Sequence, residues 1–166
     1  MMNNMKTGIL ILLLSLFCFK QTYSQSVPEN LALKKLDGKE VFFNDVVKEG
    51  SVIVSFWATW CKPCQSELEA LKDIEDMWKD KVRIIAVSID DARATAKVKS
   101  LVKGKKWPFE VLLDANKELY KAFNISAVPY VVIINEGKVV WSHSGYMPGN
   151  EVEVVEKALE YVKKDK

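Results

Sequence analysis

The stretch FWATWCKPCQSE, Phe56 to Glu67, decides how the rest of the chain is read. It holds Cys61 and Cys64 in a C-x-x-C spacing, with Pro63 between them and tryptophans at Trp57 and Trp60. Just upstream, Val52 to Trp57 is an apolar run rich in β-formers, the pattern of a strand buried on both faces. Pro63 falls where the first turn of a helix accepts proline, because the missing N–H would be unpaired there anyway. Leu68, Leu71, Ile74, Met77 and Trp78 then recur at helical spacing, so a helix is expected from about Cys64 to Trp78. The thiols therefore lie at the carboxyl end of a buried strand, where open α/β sheets place their working sites.

Working outward, LKKLDGKEVFF puts Asp37-Gly38 between two extended runs and reads as a hairpin. VRIIAVSID reads as a second buried strand and DARATAKVKSLVKG as a helix ended by Gly104. FEVLLD and NKELYKAF suggest a short strand and a short helix. YVVIINEGKVVWSH is the clearest hairpin, turning at Glu136-Gly137. From Asn150 to Lys164, Val152, Val155, Leu159 and Val162 mark an amphipathic closing helix. The order β-α-β-α-β-α-β-β-α implies a mixed sheet with helices on both faces.

The ends and the totals narrow the function. Residues 1–24 combine Lys6, an apolar run from Gly8 to Phe19, and Thr22 and Ser24 placed like cleavage-site residues, which is a signal peptide pattern. The run stops at Lys20, short of the roughly 20 apolar residues a membrane span needs. Cys18 follows Phe17, where a lipid-attachment signal would need a small side chain, and leaves with the leader. Residues 25–166 then make one domain of ordinary size with a single core. Lys6 and Lys20 account for the formal net charge of +2, so the mature domain is near neutral and nucleic-acid binding has no electrostatic support. Export also places the cysteines where disulfides persist. The leader is similar to those of Gram-negative bacteria, which makes the expected compartment the periplasm.

Several uses of the thiols compete. As a staple, so small a loop yields only about 2 kcal/mol in the chain-entropy model, against about 4.7 for a loop near 100 residues. A structural zinc site wants four cysteine and histidine ligands, and the one histidine, His143, is far along the chain. Haem attachment needs histidine directly after the second cysteine, where Gln65 stands. A copper carrier or an apo-cytochrome holdase without redox turnover stays open as a binding alternative. Redox chemistry needs one sulfur that attacks a partner and one that closes on it. At a helix amino end Cys61 faces unpaired N–H groups that favour its thiolate. A stabilised thiolate leaves readily and raises the reduction potential, so Lys62 and Pro63 beside it help set the direction of electron flow.

FWATWCKPC after a buried strand, followed at a distance by VPYVVIINEGKVV, resembles the thioredoxin superfamily. The opening LKKLDGKEVFFNDV and the extra strand and helix around Asp91 to Gly104 are similar to its exported TlpA/ResA-like branch, from about Leu31 to the closing helix. The resemblance implies a thioredoxin-like α/β fold with an N-terminal β-hairpin and a central strand/helix insertion, working without a bound cofactor or metal. It implies that Cys61 attacks, Cys64 resolves, and Pro129 is a cis-proline that leaves the Val128 backbone free to pair with a bound segment. Trp60 and Pro63 would form the rim that meets partners, and Trp57 would be core. Glu67, one turn after Cys64, matches a glutamate of this branch that handles the proton of the second thiol. Thioredoxin itself has a buried aspartate where this chain has Ser55, so Glu67 takes over that part. Tyr130 departs from the threonine common after this proline. The implied function is a protein-disulfide reductase for exported proteins, as in cytochrome c maturation. It would act as a monomer, supplied with electrons by a membrane donor of the DsbD/CcdA type.

Overall fold

The computed structural model of the chain describes residues 26–164. The expected signal peptide lies outside them. Seven strands form one sheet in the order β2-β1-β5-β4-β3-β6-β7, where β1 is Ala32–Lys35, β2 Glu40–Phe42, β3 Ser51–Trp57, β4 Arg83–Ser88, β5 Glu110–Leu113, β6 Tyr130–Asn135 and β7 Lys138–Ser144. β3, β4 and β5 run parallel, and both flanking hairpins pair antiparallel to them. The expected mixed sheet and thioredoxin-like architecture are thus present. Every residue of β3 is buried, which explains its unbroken apolar run around Ser55.

Side chains alternate across a strand, and β3 shows what covers each face. Ser55 meets Glu67 of α2 (Lys62–Asp73), and Ser51 donates to the Ala158 carbonyl of α6 (Asn150–Lys164), so odd-numbered positions face these two helices. Phe56 points the other way, against Phe123, which in turn packs edge-on against Phe43 of a short helix, α1 (Phe43–Val47). Helices cover both faces, and the core is continuous through β3, β4 and β6.

Two local expectations are corrected and one helix is added. The single helix from Cys64 to Trp78 begins at Lys62 and breaks at Ile74 (φ −102°, ψ 26°) before a short α3, Glu75–Trp78. The buried Trp78 indole N–H donates to the Leu71 carbonyl at 2.7 Å and takes the acceptor that an unbroken helix would use. The helix expected to stop at Gly104 is a 3-10 turn, Ala92–Ala94, followed by α4, Thr95–Lys105. Its left-handed cap is Lys106, whose N–H bonds the Val102 carbonyl, so Gly104 lies inside the last turn. Sequence periodicity also passed over α1. The Glu136-Gly137 turn behaves as read, with both residues at positive φ, as a type I′ hairpin requires. The remaining helix, α5, spans Glu118–Ala122 and is capped by the buried Asp114 carboxylate, which accepts from the Glu118 and Tyr120 amides. No helix among the described residues is long and apolar enough to cross a membrane.

Candidate active site

Cys61 is the N-cap of α2 and Pro63 sits in the first turn, so the helix opens on the sulfur itself. The Cys64 amide points at Cys61 Sγ from 3.3 Å. Cys61 and Cys64 form a disulfide with Cα atoms 5.3 Å apart. The two differ in access: Cys61 is 5% exposed and Cys64 fully buried. An incoming sulfur therefore meets Cys61 first. Trp60, 64% exposed, stands beside it, and Lys62 and Pro63 also face solvent. Trp57 is core, edge-on to Trp107 with ring centroids 5.0 Å apart.

The Val128–Pro129 peptide bond is cis. The Val128 carbonyl oxygen lies 3.7 Å from Cys61 Sγ, and because a disulfide sulfur has no hydrogen to donate, this is a contact between segments. The Gly145 amide donates to the Pro129 carbonyl at 2.9 Å, which draws the loop after β7 to the same end of the sheet. The fold thus brings Trp60, Cys61, Pro63, Cys64, Val128 and Pro129 to one end of the sheet. His143 lies on β7, two strands over from the cysteine strand, where it pairs with Val131 of β6, and its ring stacks on Trp141.

Glu67 is 2% exposed and accepts from the Ser55 hydroxyl at 2.7 Å. Burial pushes its carboxyl up to about 7; the Ser55 hydrogen bond pulls the other way, and the negative charge of Glu151 adds to the rise. Ser55, on the strand that leads to the cysteines, is therefore the glutamate's direct partner.

Sequence reasoning missed the clamp behind the cysteine loop. The buried Asp90, just after β4, accepts from the Thr59 amide (2.8 Å), the Thr59 hydroxyl (2.7 Å) and the Ser88 hydroxyl (2.9 Å). Gln65 of α2 donates to the Thr59 carbonyl at 2.9 Å. All three polar groups of Thr59 are thus held, two residues before Cys61. An Asp straight after a buried strand was the available signal, but its partner lies 31 positions away.

A buried strand ending in a cysteine pair at a helix mouth, with one sulfur slightly exposed and the other fully buried, beside a cis-proline, defines a thioredoxin-fold dithiol–disulfide protein. The Redoxin family profile matches residues 22–159. The thiol-disulfide oxidoreductase ResA of Bacillus subtilis is 30% identical over 86% of this chain and 84% of its own. The thioredoxin-like protein YneN of the same organism is 30% identical over 92% and 96%. The solution structure of a thioredoxin-like protein from Porphyromonas gingivalis superposes with a TM-score of 0.71 at 40% identity, covering 88% of this chain and 97% of that one. The chain belongs to the Redoxin family and, within the thioredoxin superfamily, to its TlpA/ResA-like thiol-disulfide oxidoreductases.

Proposed function

We propose that this chain is an exported, periplasmic protein-disulfide reductase that acts as a monomer. Its substrates are disulfides of other exported proteins, apocytochromes c among them, and a membrane donor of the DsbD/CcdA type restores its dithiol. The observation that carries the reading is the unequal pair: Cys61 at the rim beside Val128 and Trp60, and Cys64 buried on the helix that carries the protonatable Glu67.

In the reduced protein the Cys61 thiolate, favoured by the Cys64 amide and the α2 amino end, attacks one sulfur of the partner's disulfide. That S–S bond breaks, the partner's other sulfur leaves as a thiolate, and Cys61 is left in a mixed disulfide. Cys64 then gives its proton to the Glu67 carboxylate and attacks Cys61 Sγ. The mixed disulfide breaks, the partner's second thiolate departs and is protonated by water, and two electrons have passed to the partner. The environment of Glu67 matters here. A carboxylate at the ordinary 4.5 takes a proton from a thiol near 8.5 in only about one case in 10⁴, whereas at about 7 the ratio is about one in 30. Recharging runs the same path backwards: the donor attacks Cys61, and the departing Cys64 sulfur collects the Glu67 proton.

Insulin reduction by the full domain tests the cycle. Cys61→Ser should abolish it, and Cys64→Ser should stall as a trapped mixed disulfide; sustained turnover by Cys64→Ser would remove the resolving role. The reduction potential of the pair tests the direction. A value toward the thioredoxin end, about −270 mV, supports a reductase, and one toward about −120 mV makes the protein an oxidant.

A further inference from the structure

The outer face of α4 is strongly charged, and the cycle above leaves it unused. From Ala92 to Phe109 the chain carries six basic side chains and no acidic one, whereas the formal net charge of the whole chain is only +2, so everything outside this segment is net negative. Two of the six are paired: Arg93 with Asp91 at 2.9 Å, and Lys105 with Glu69 of α2 at 3.7 Å. Lys97, Lys99, Lys103 and Lys106 are exposed, and none of their ammonium groups forms an ion pair or a hydrogen bond among the described residues.

Helix stability does not account for this arrangement. The first turn of α4 has no acidic residue, and Lys97 stands there against the positive end of the helix dipole. Lys99 and Lys103 are one turn apart, a like-charge spacing that weakens a helix. A face built only for solubility intersperses both signs. The exposed Ala96 and Ser100, also one turn apart, put only short side chains between Lys97 on one side and Lys99 and Lys103 on the other. The face is also fixed relative to the cysteines. At its start Asp91 accepts from the Arg93 amide at 2.9 Å, and the adjoining Asp90 holds Thr59, two residues before Cys61. At its end Lys72 of α2 donates to the Lys105 carbonyl at 2.8 Å, which braces α4 against the helix that carries Cys64.

We propose that the face formed by Lys97, Lys99, Lys103 and Lys106 is an electrostatic docking surface for acidic protein partners: it captures an acidic stretch of a disulfide-bearing protein and raises the rate at which that disulfide meets Cys61. This rests on the chain exchanging disulfides with other proteins. A protein fits the face better than an anionic bilayer does, because a helix that lies on a membrane needs an apolar side for the lipid. α4 turns its apolar side to the core through Val98, Leu101 and Val102, and the exposed large apolar residues, Phe42, Trp60 and Met147, are all elsewhere.

Two synthetic peptides with the same internal disulfide, one flanked by glutamates and one by lysines, test this in stopped-flow reactions with the reduced full domain. At low salt the acidic peptide should react about tenfold faster, and about 0.5 M salt should erase the difference. Lys99→Gln combined with Lys103→Gln removes half of the unpaired charges and should lower the preference about threefold, half of the tenfold on a logarithmic scale. Lys48→Gln combined with Lys138→Gln removes the same charge from exposed positions near the start of β3, the end opposite the cysteines, and should leave the preference unchanged. Equal rates for the two peptides, or an equal fall in both double variants, overturns the proposal. So does retention of the domain by phosphatidylglycerol vesicles, abolished by the Lys99→Gln and Lys103→Gln changes, with no preference between the peptides; that result would assign the face to a bilayer. Peptides with both cysteines replaced by serine separate docking from exchange. If the domain reduces neither disulfide peptide, the exchange reading falls, while tighter binding of the acidic serine peptide, read by fluorescence anisotropy, still upholds the docking surface.

Discussion

Replacing Glu67 by Gln should make the oxidised protein more stable, and by an amount that depends on pH. The carboxyl rises from 4.5 in a solvated chain to about 7 in the fold, chiefly through burial. At about 1.4 kcal/mol per pH unit, that gap amounts to about 3 kcal/mol. Because the folded value is the higher one, the folded state binds the proton more tightly. Below pH 4.5 both states are protonated and the group imposes no penalty. As pH rises toward 7 the unfolded chain releases its proton first and stability falls, and above 7 the full penalty stands. Gln is neutral at every pH, and its amide oxygen can still accept from the Ser55 hydroxyl. Urea unfolding of the two oxidised proteins should therefore show Glu67→Gln gaining on the native protein by about 2–3 kcal/mol between pH 5 and pH 8. Comparing the two proteins at each pH cancels the other titrating groups. A stability gap that is flat between those pH values would refute the burial argument and, with it, the idea that Glu67 is a proton store.

Two further substitutions test the scaffold and the rim. Thr59→Val removes the hydroxyl that donates to Asp90 and leaves part of a buried carboxylate unpaired, so urea unfolding should show a loss of about 1–3 kcal/mol; an unchanged midpoint would mean that the clamp behind the cysteine loop is dispensable. Trp60→Ala should leave stability within about 0.5 kcal/mol, since the ring is largely exposed. The same change should raise KM for a protein disulfide while sparing a small-molecule disulfide, and equal effects on both would argue against a docking role for the indole.

What could be read from the sequence was whatever depends on short-range pattern. The all-buried β3 appears as an apolar run, the Glu136-Gly137 turn as a dipeptide suited to two positive φ values, and the C-x-x-C with its proline as a helix opening. The features that escaped depend on which polar atoms pair and which residue takes a cap, neither of which an apolar pattern records. Nothing between Cys64 and Trp78 announces that the Trp78 indole will take the Leu71 carbonyl and break the helix, because periodicity records which residues face the core and not what their polar atoms bond. Gly104 looked like a helix end, yet the chain placed Lys106 in the left-handed cap, a conformation glycine favours but does not monopolise. Asp90 was silent for the same reason. A carboxylate among many acquires its part only when folding brings Thr59 to it, across 31 positions.

The bridge between Ser26 and Lys138 fixes where the chain enters the domain. Lys138 is opposite Asn135, and Asn135 is opposite Ser51, so the entry point is at the start of β3, while the cysteines follow its far end. Seven residues of strand at about 3.3 Å each put roughly 20 Å of sheet between the two poles. Anything joined upstream of Ser26, whether an anchor or an affinity tag, is thus fastened at the base of the molecule with the sulfurs facing outward, and immobilising the domain by that end should leave its redox tip unobstructed.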